Sequence, residues 1–267
     1  MIRDLQYPED ARRTIDSLLS SLEYDAALAV LGVSVGKLTL EGDGIPDFST
    51  EIRLGGHVED QAVRRDAPGL LARFSLISMV AHVERHVQLL LLQRRVLEEI
   101  QTTGNKMKPE AMWTILQRVH SESRGGPVKL CSELTVENPS KELASRMKWL
   151  GGIVRVRNCL AHRLGKVEVE DVKPPGKSLK ETKDTDTLKV VWLRPKPTID
   201  GKEIESFPHK GGGYFQCGFV EYEREWRIGD QIEITSMECQ AIGISLSLLS
   251  VQLLADFEAE MNSLLNL

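Results

Sequence analysis

Apolar positions recur at helical spacing along most of this chain. Ile15, Leu18, Leu19, Leu22 and Ala26 advance in steps of three and four, which predicts a helix from Asp10 to about Leu31. Gly36 to Gly56 loses that rhythm. Its glycines, its proline and short alternating runs such as Lys37 to Glu41 predict an extended loop or small hairpin. From Pro68 to Gln101 the helical spacing returns around a heavily apolar centre, with Leu89 to Leu92 as core. Lys108 to Glu122 predicts a shorter helix, and Gly125 to Glu137 a connector.

Asn138, Pro139 and Ser140 then form a helix start signal, with Asn138 as N-cap and Pro139 at the first helical position. No proline interrupts Ser140 to Arg163, and Gly165 is a fitting C-terminal stop. On a helical wheel Leu143, Met147, Leu150, Val154 and Ala161 share one stripe, and Trp149, Ile153, Val156 and Leu160 the next. The two stripes make an apolar arc wider than a surface helix needs.

After this helix the texture changes. Val167 to Val172 alternates as a strand should, and Leu188 to Leu193 predicts a second strand. Pro174 to Asp186 is a polar, charged loop. Asp200-Gly201 is a hairpin turn signal. Lys210 to Gly213 reads as a flexible loop, without the Lys and Ser/Thr spacing of a phosphate-binding loop. Trp226 to Thr235 predicts another strand region, after which Thr235 or Ser236 caps a closing helix to about Leu265. The fold class is therefore mainly α (α+β): a helical bundle over residues 1–166, a small antiparallel β insertion over 167–235, and a C-terminal helix over 236–267 that packs back on the bundle.

Arg157 lands inside the apolar arc of the Ser140–Arg163 helix. A permanent charge there must be paired or must line a cleft, because burying it alone costs several kcal/mol. Glu84, on the long helix, is a candidate partner. Asn158 and His162 lie four residues apart on the edge of the arc, with the small residues Ala144 and Gly151, so a second helix can approach closely. Arg matches a phosphate, His exchanges protons near neutral pH, and Asn orients an oxygen without changing the charge. That set can cleave RNA without a metal. The structural alternative is a buried Arg paired to a carboxylate, beside a His that complements the helix C-terminus.

The stretch from Val156 to Val167 resembles the end of the last core helix in HEPN-domain proteins (higher eukaryotes and prokaryotes nucleotide-binding). Arg157, Asn158 and His162 match the R-N-x-x-x-H motif of that family position by position. The resemblance implies a HEPN-like helical bundle and a metal-independent endoribonuclease assembled across a homodimer. Such proteins work in toxin–antitoxin and defence settings, with an antitoxin or regulatory protein as a partner. It implies catalytic roles for Arg157, Asn158 and His162, and products with a 2′,3′-cyclic phosphate and a 5′-hydroxyl. No cofactor and no metal are expected. A non-catalytic RNA- or nucleotide-binding module, or a dimerisation module, on the same fold remains the alternative.

Composition adjusts this picture only locally. The net charge of −5 argues against a protein coated in basic residues. From Lys141 to Lys166, however, seven basic residues (Lys141, Arg146, Lys148, Arg155, Arg157, Arg163 and Lys166) face one acid, Glu142. Arg155, Arg163 and Lys166 are the expected RNA contacts of that patch. The four cysteines show no C-x-x-C pairing, so a disulfide framework or a structural zinc site is not expected. The chain opens on polar residues, and no apolar run reaches spanning length, so a cytoplasmic protein without a membrane is expected. His82 and His86 have a chelating spacing without an evident third ligand.

Overall fold

The structure, a computed structural model, describes residues 7–40, 60–103, 109–123, 126–134, 140–172, 186–199, 202–203 and 215–265. Its elements run α1 (Tyr7–Leu40), α2 (Asp60–Thr103), α3 (Pro109–Ser123), α4 (Gly126–Leu134), α5 (Lys141–Arg163), α6 (Val169–Val172), β1 (Thr187–Ile199), β2 (Lys202–Glu203), β3 (Phe215–Arg227) and α7 (Ser236–Leu265). It is mainly helical, with a small antiparallel sheet before the C-terminal helix.

Helix α1 runs antiparallel to α2, as Gln93 donates to Thr14 at one end while Asp25 meets His82 further along. It is also antiparallel to α7, where Arg12 bonds Glu258. Helix α5 lies antiparallel to α7. The Ser140 N–H donates to Asp256, and Arg146 donates to the Leu248 carbonyl. The shared core takes Leu18 and Leu22 from α1, Leu76, Leu90 and Leu91 from α2, Leu150 and Ile153 from α5, and Leu246, Leu249 and Phe257 from α7. Arg94, almost fully buried, closes α4 by donating to the carbonyls of Glu133 and Leu134 and pairs with Glu98 and Glu260. A buried guanidinium is tolerable when its donors are satisfied in this way.

Strands β1 and β3 pair antiparallel from Thr187↔Arg227 to Ile199↔Phe215, and β2 adds two pairs at the far end of β1. The Ile199↔Lys202 pair fits the hairpin read at Asp200-Gly201, although those two residues lie outside the described ones. Leu188, Val190 and Trp192 carry β1 into the common core. Its edge sits against α5 and α7, where Arg155 donates to the Lys189 carbonyl and the Leu193 N–H donates to Ser245. This approach needs Gly152, because a Cβ there meets Val190 Cγ1 at 3.1 Å and Val190 Cα at 3.3 Å.

Several expectations are corrected. Helix α1 continues through Gly36 to Leu40, where a loop or hairpin was expected; the rest of that stretch, 41–56, lies outside the described residues. One glycine costs a helix about 1 kcal/mol, too little to end a long one. Helix α2 starts at Asp60 and contains Pro68, which was expected to open it. The connector at Gly125 to Glu137 holds α4, whose Pro127, Leu130, Cys131 and Leu134 are buried at helical steps. The α5 N-cap is Ser140, which accepts from the Leu143 N–H at 3.1 Å; Asn138 and Pro139 lie outside the described residues.

The strand expected at Val167 to Val172 is a single bridge, Lys166↔Gln231, followed by the short helix α6. The Glu168 N–H donates to Asp171, a local cap that outcompetes pairing. Beyond Trp226 the strand stops at Arg227. There Asp230 accepts the Arg227 N–H, and Gly229 turns the chain with φ +93. The closing helix begins as expected, with Thr235 and Glu238 bonding each other's backbone N–H. Pro174 to Thr185 and Lys210 to Gly213 lie outside the described residues.

Contrary to the reading of the sequence, among the described residues one helix is long and apolar enough to cross a membrane by length and composition: α7, over Ser236–Asn262. Its serines interrupt the run without polarising it, because Ser245 and Ser250 donate back to the carbonyls of Ala241 and Leu246. Half of that window is buried in this fold.

Candidate functional site on helix α5

The apolar arc of α5 is buried at Leu143, Trp149, Leu150, Ile153, Val156 and Leu160, which fixes the rotation of the helix. Arg157 follows from that rotation. It lies at the edge of the buried face and donates through Nη2 to Oε2 of Glu84 at 3.3 Å. Its Nε is buried without a hydrogen-bond partner. The guanidinium is therefore anchored at one corner only, by the partner expected for it.

Asn158 is half-buried and His162 is exposed. Four residues apart on α5, they face the same side. Among the described residues neither has a protein hydrogen-bond partner. Arg157, Asn158 and His162 thus lie on one stretch of helix, with His162 exposed and Asn158 half-buried. The Cys159 side chain turns inward instead. Its thiol donates to the Lys166 carbonyl at 3.0 Å, and burial pushes its pKa up to about 12. It is not a nucleophile at neutral pH.

The basic patch is smaller than the sequence suggests. Arg163 is held by two bonds to Asp171, whose carboxylate is almost fully buried, and by Glu168 at 3.8 Å. The Asp171 hydrogen bond, more than anything else, holds the Arg163 proton more tightly than usual. Arg155 is half-buried on the Lys189 carbonyl, and burial lowers its pKa. Arg146 is engaged with Leu248. Lys166 is exposed, as are Lys141 and Lys148. Of the three expected RNA contacts, Lys166 alone presents an exposed charge. Asp171 is the group that reading the sequence missed. Its only signal is the spacing from Glu168 to Asp171, which matches a helix cap as well as a strand.

The C-terminus of α5 is tightly built. Leu164 takes the left-handed conformation, with φ 54, and Gly165 follows with φ +89. The Leu164 and Gly165 N–H groups both point to the Cys159 carbonyl. Gln231 donates to the Leu164 carbonyl at 2.6 Å. A non-glycine residue in this conformation stores strain of about 1 kcal/mol or more. The helix end is therefore held by its neighbours two residues past His162.

His82 and His86, noted for their chelating spacing, are engaged elsewhere. His82 Nε2 lies 3.6 Å from the buried Asp25, and His86 contacts the His82 carbonyl and Ser17. Among the described residues no three His, Cys, Asp or Glu side chains form a metal-ligand group. Gly151, expected at an edge where another helix approaches, has open space above it. Compared with known proteins, the chain matches no family model, no curated protein and no solved structure.

Proposed function

We propose that this chain is a metal-independent endoribonuclease of HEPN type, acting as a homodimer. The observation that carries the reading is the trio on α5. Arg157 is steered by one bond to Glu84, and beside it stand a half-buried Asn158 and an exposed His162. RNA brings its own nucleophile. The 2′-OH attacks the adjacent phosphorus, the bond from phosphorus to the 5′-oxygen breaks, and a 2′,3′-cyclic phosphate and a 5′-hydroxyl result. Arg157 offsets charge on the phosphoryl oxygens, and Asn158 orients the 2′-OH or a phosphate oxygen. His162 from one protomer takes the 2′-OH proton, and His162 from its partner protonates the leaving oxygen. The resemblance at this motif supports a cytoplasmic toxin–antitoxin or defence role with an antitoxin or regulatory partner.

A second reading has one observation in its favour. Glu84 already answers the Arg157 charge, as it does in a bundle where Arg157 only buttresses packing. On that reading the fold is a binding or dimerisation module without turnover. Incubating cellular RNA with the protein in EDTA, beside Arg157→Ala and His162→Ala, separates the two. Cleavage by the wild type alone, with cyclic-phosphate ends, is expected. Equal absence of cleavage in all three, with the dimer intact, leaves the module reading.

A further inference from the structure

The ribbon formed by β1 and β3 distributes its charges unevenly between its two faces. Directly paired residues share a face. Leu188↔Trp226, Val190↔Arg224, Trp192↔Tyr222, Arg194↔Val220 and Lys196↔Gly218 therefore lie on one side. Within β1 and β3 that side holds Arg194, Lys196 and Arg224 and no acid, and Glu203 of β2 joins it at the far end, where it pairs with Thr198. The other side holds Glu221, Glu223 and Glu225 together with Lys189 and Arg227, and Lys202 of β2 where it pairs with Ile199.

Near the bundle the basic side is covered. Leu188, Val190, Trp192 and Trp226 are buried, and Arg224 is taken by Glu238. Beyond Trp192 the side opens. Tyr222 and Val220 are 37% and 42% exposed, and Arg194 is exposed. The Tyr222 ring leans on Trp192 at 5.3 Å between centroids, and the Arg194 guanidinium sits 6.0 Å from the Tyr222 centroid. Among the described residues Arg194 meets no carboxylate. An aromatic ring braced from below and flanked by an unanswered cation is a stacking platform beside a phosphate contact.

We infer that this face of the ribbon, centred on Arg194 and Tyr222, is a docking track for single-stranded RNA. The choice of RNA rests on the ribonuclease reading above. Unpaired bases expose the ring faces that Tyr222 can stack, whereas a duplex hides them. Arg194, which meets no carboxylate among the described residues, offers this face a phosphate contact, whereas on the other face Lys189 is already held by Glu223 and Glu225. The root of the ribbon rests on α5, where Gly152 meets Val190 and Arg155 meets Lys189. A strand held along the ribbon is thereby brought to the helix that carries Arg157 and His162.

The test uses the full chain with His162→Ala, to prevent turnover, and a labelled oligouridylate of about twelve nucleotides. Anisotropy at low salt should give a Kd that the Arg194→Ala/Tyr222→Leu double variant raises about tenfold or more. Tyr222→Phe keeps the ring and should keep the affinity, which separates stacking from misfolding. Glu223→Gln on the opposite face should not weaken binding. A blunt RNA duplex should bind more weakly than the single strand. Unchanged affinity in the double variant, equal binding of duplex, or no binding at low salt overturns the inference. Ribbon-dependent binding by a wild type that never cleaves removes the nuclease reading and leaves the docking track standing. Cleavage together with ribbon-independent binding does the reverse.

Discussion

Glu84 of α2 receives the Arg157 guanidinium of α5 through one contact, Nη2 to Oε2 at 3.3 Å, with both side chains partly exposed. Pairs of this exposure contribute about 1 kcal/mol or less. Glu84→Gln should therefore lower the melting temperature by only a few degrees. It should also tighten RNA binding severalfold, because a phosphate no longer competes with a carboxylate for Arg157. Urea unfolding and anisotropy on the same preparation check both. A large stability loss with no change in affinity would mean that the pair is a structural brace.

Arg163 and Asp171 make the opposite case. Asp171 is almost fully buried, accepts two bonds from Arg163 and one from the Glu168 N–H, and ties the end of α5 to α6. Removing one partner strands the other. Asp171→Asn is expected to cost about 2 kcal/mol, because Arg163 keeps some contact with water. Arg163→Ala should lose stability without changing the salt dependence of RNA binding, whereas Lys166→Ala should lower that salt slope by about one. A lower slope in Arg163→Ala would return Arg163 to the RNA contacts.

These two arginines show what the sequence makes legible. A charge inside an apolar arc demands a partner or a cleft, and Glu84 was one candidate for it on the long helix. Helix α5 was legible for a similar reason: its long periodic stripes leave little choice of face. Short segments carry no such surplus. Val167 to Val172 fits strand alternation, yet one side-chain cap at Asp171 decides for a helix. In α4 the helical spacing of Leu130, Cys131 and Leu134 was present, but the flanking glycines and Pro127 masked it. The uneven charge of the ribbon's two faces becomes visible only once the strand register pairs Arg194 with Val220.

The adjacent glycines of α5 should respond in opposite ways. A Cβ at Gly152 meets Val190 side-chain and backbone atoms at 3.1 and 3.3 Å, so β1 must shift. Gly152→Ala is expected to destabilise by about 1 to 3 kcal/mol. A Cβ at Gly151 meets nothing within 4 Å. Gly151→Ala should stabilise a single protomer by up to about 1 kcal/mol through helix propensity. Denaturant midpoints of the two variants measure this directly, and equal losses would place a neighbour over Gly151.

Asp25 is a buried carboxyl whose Oδ2 has no hydrogen-bond partner, with His82 Nε2 3.6 Å away. Burial is the largest influence and raises its pKa above the usual carboxylate range, against the lowering by Ser78 and His82. Cys239 of α7 also senses its charge. A pKa higher in the folded than in the unfolded chain means that folding favours the protonated form. That contribution is present at acid pH and is lost as pH rises through the folded-state pKa. Asp25→Asn removes the ionisation and keeps the volume. Its stability relative to wild type should therefore improve between about pH 4 and pH 7.5, with the higher value above wild type. Urea unfolding at both pH values decides the matter. A variant whose relative stability falls as pH rises would show that the contacts of the ionised Asp25 with Ser78 and His82, not its burial, set the balance.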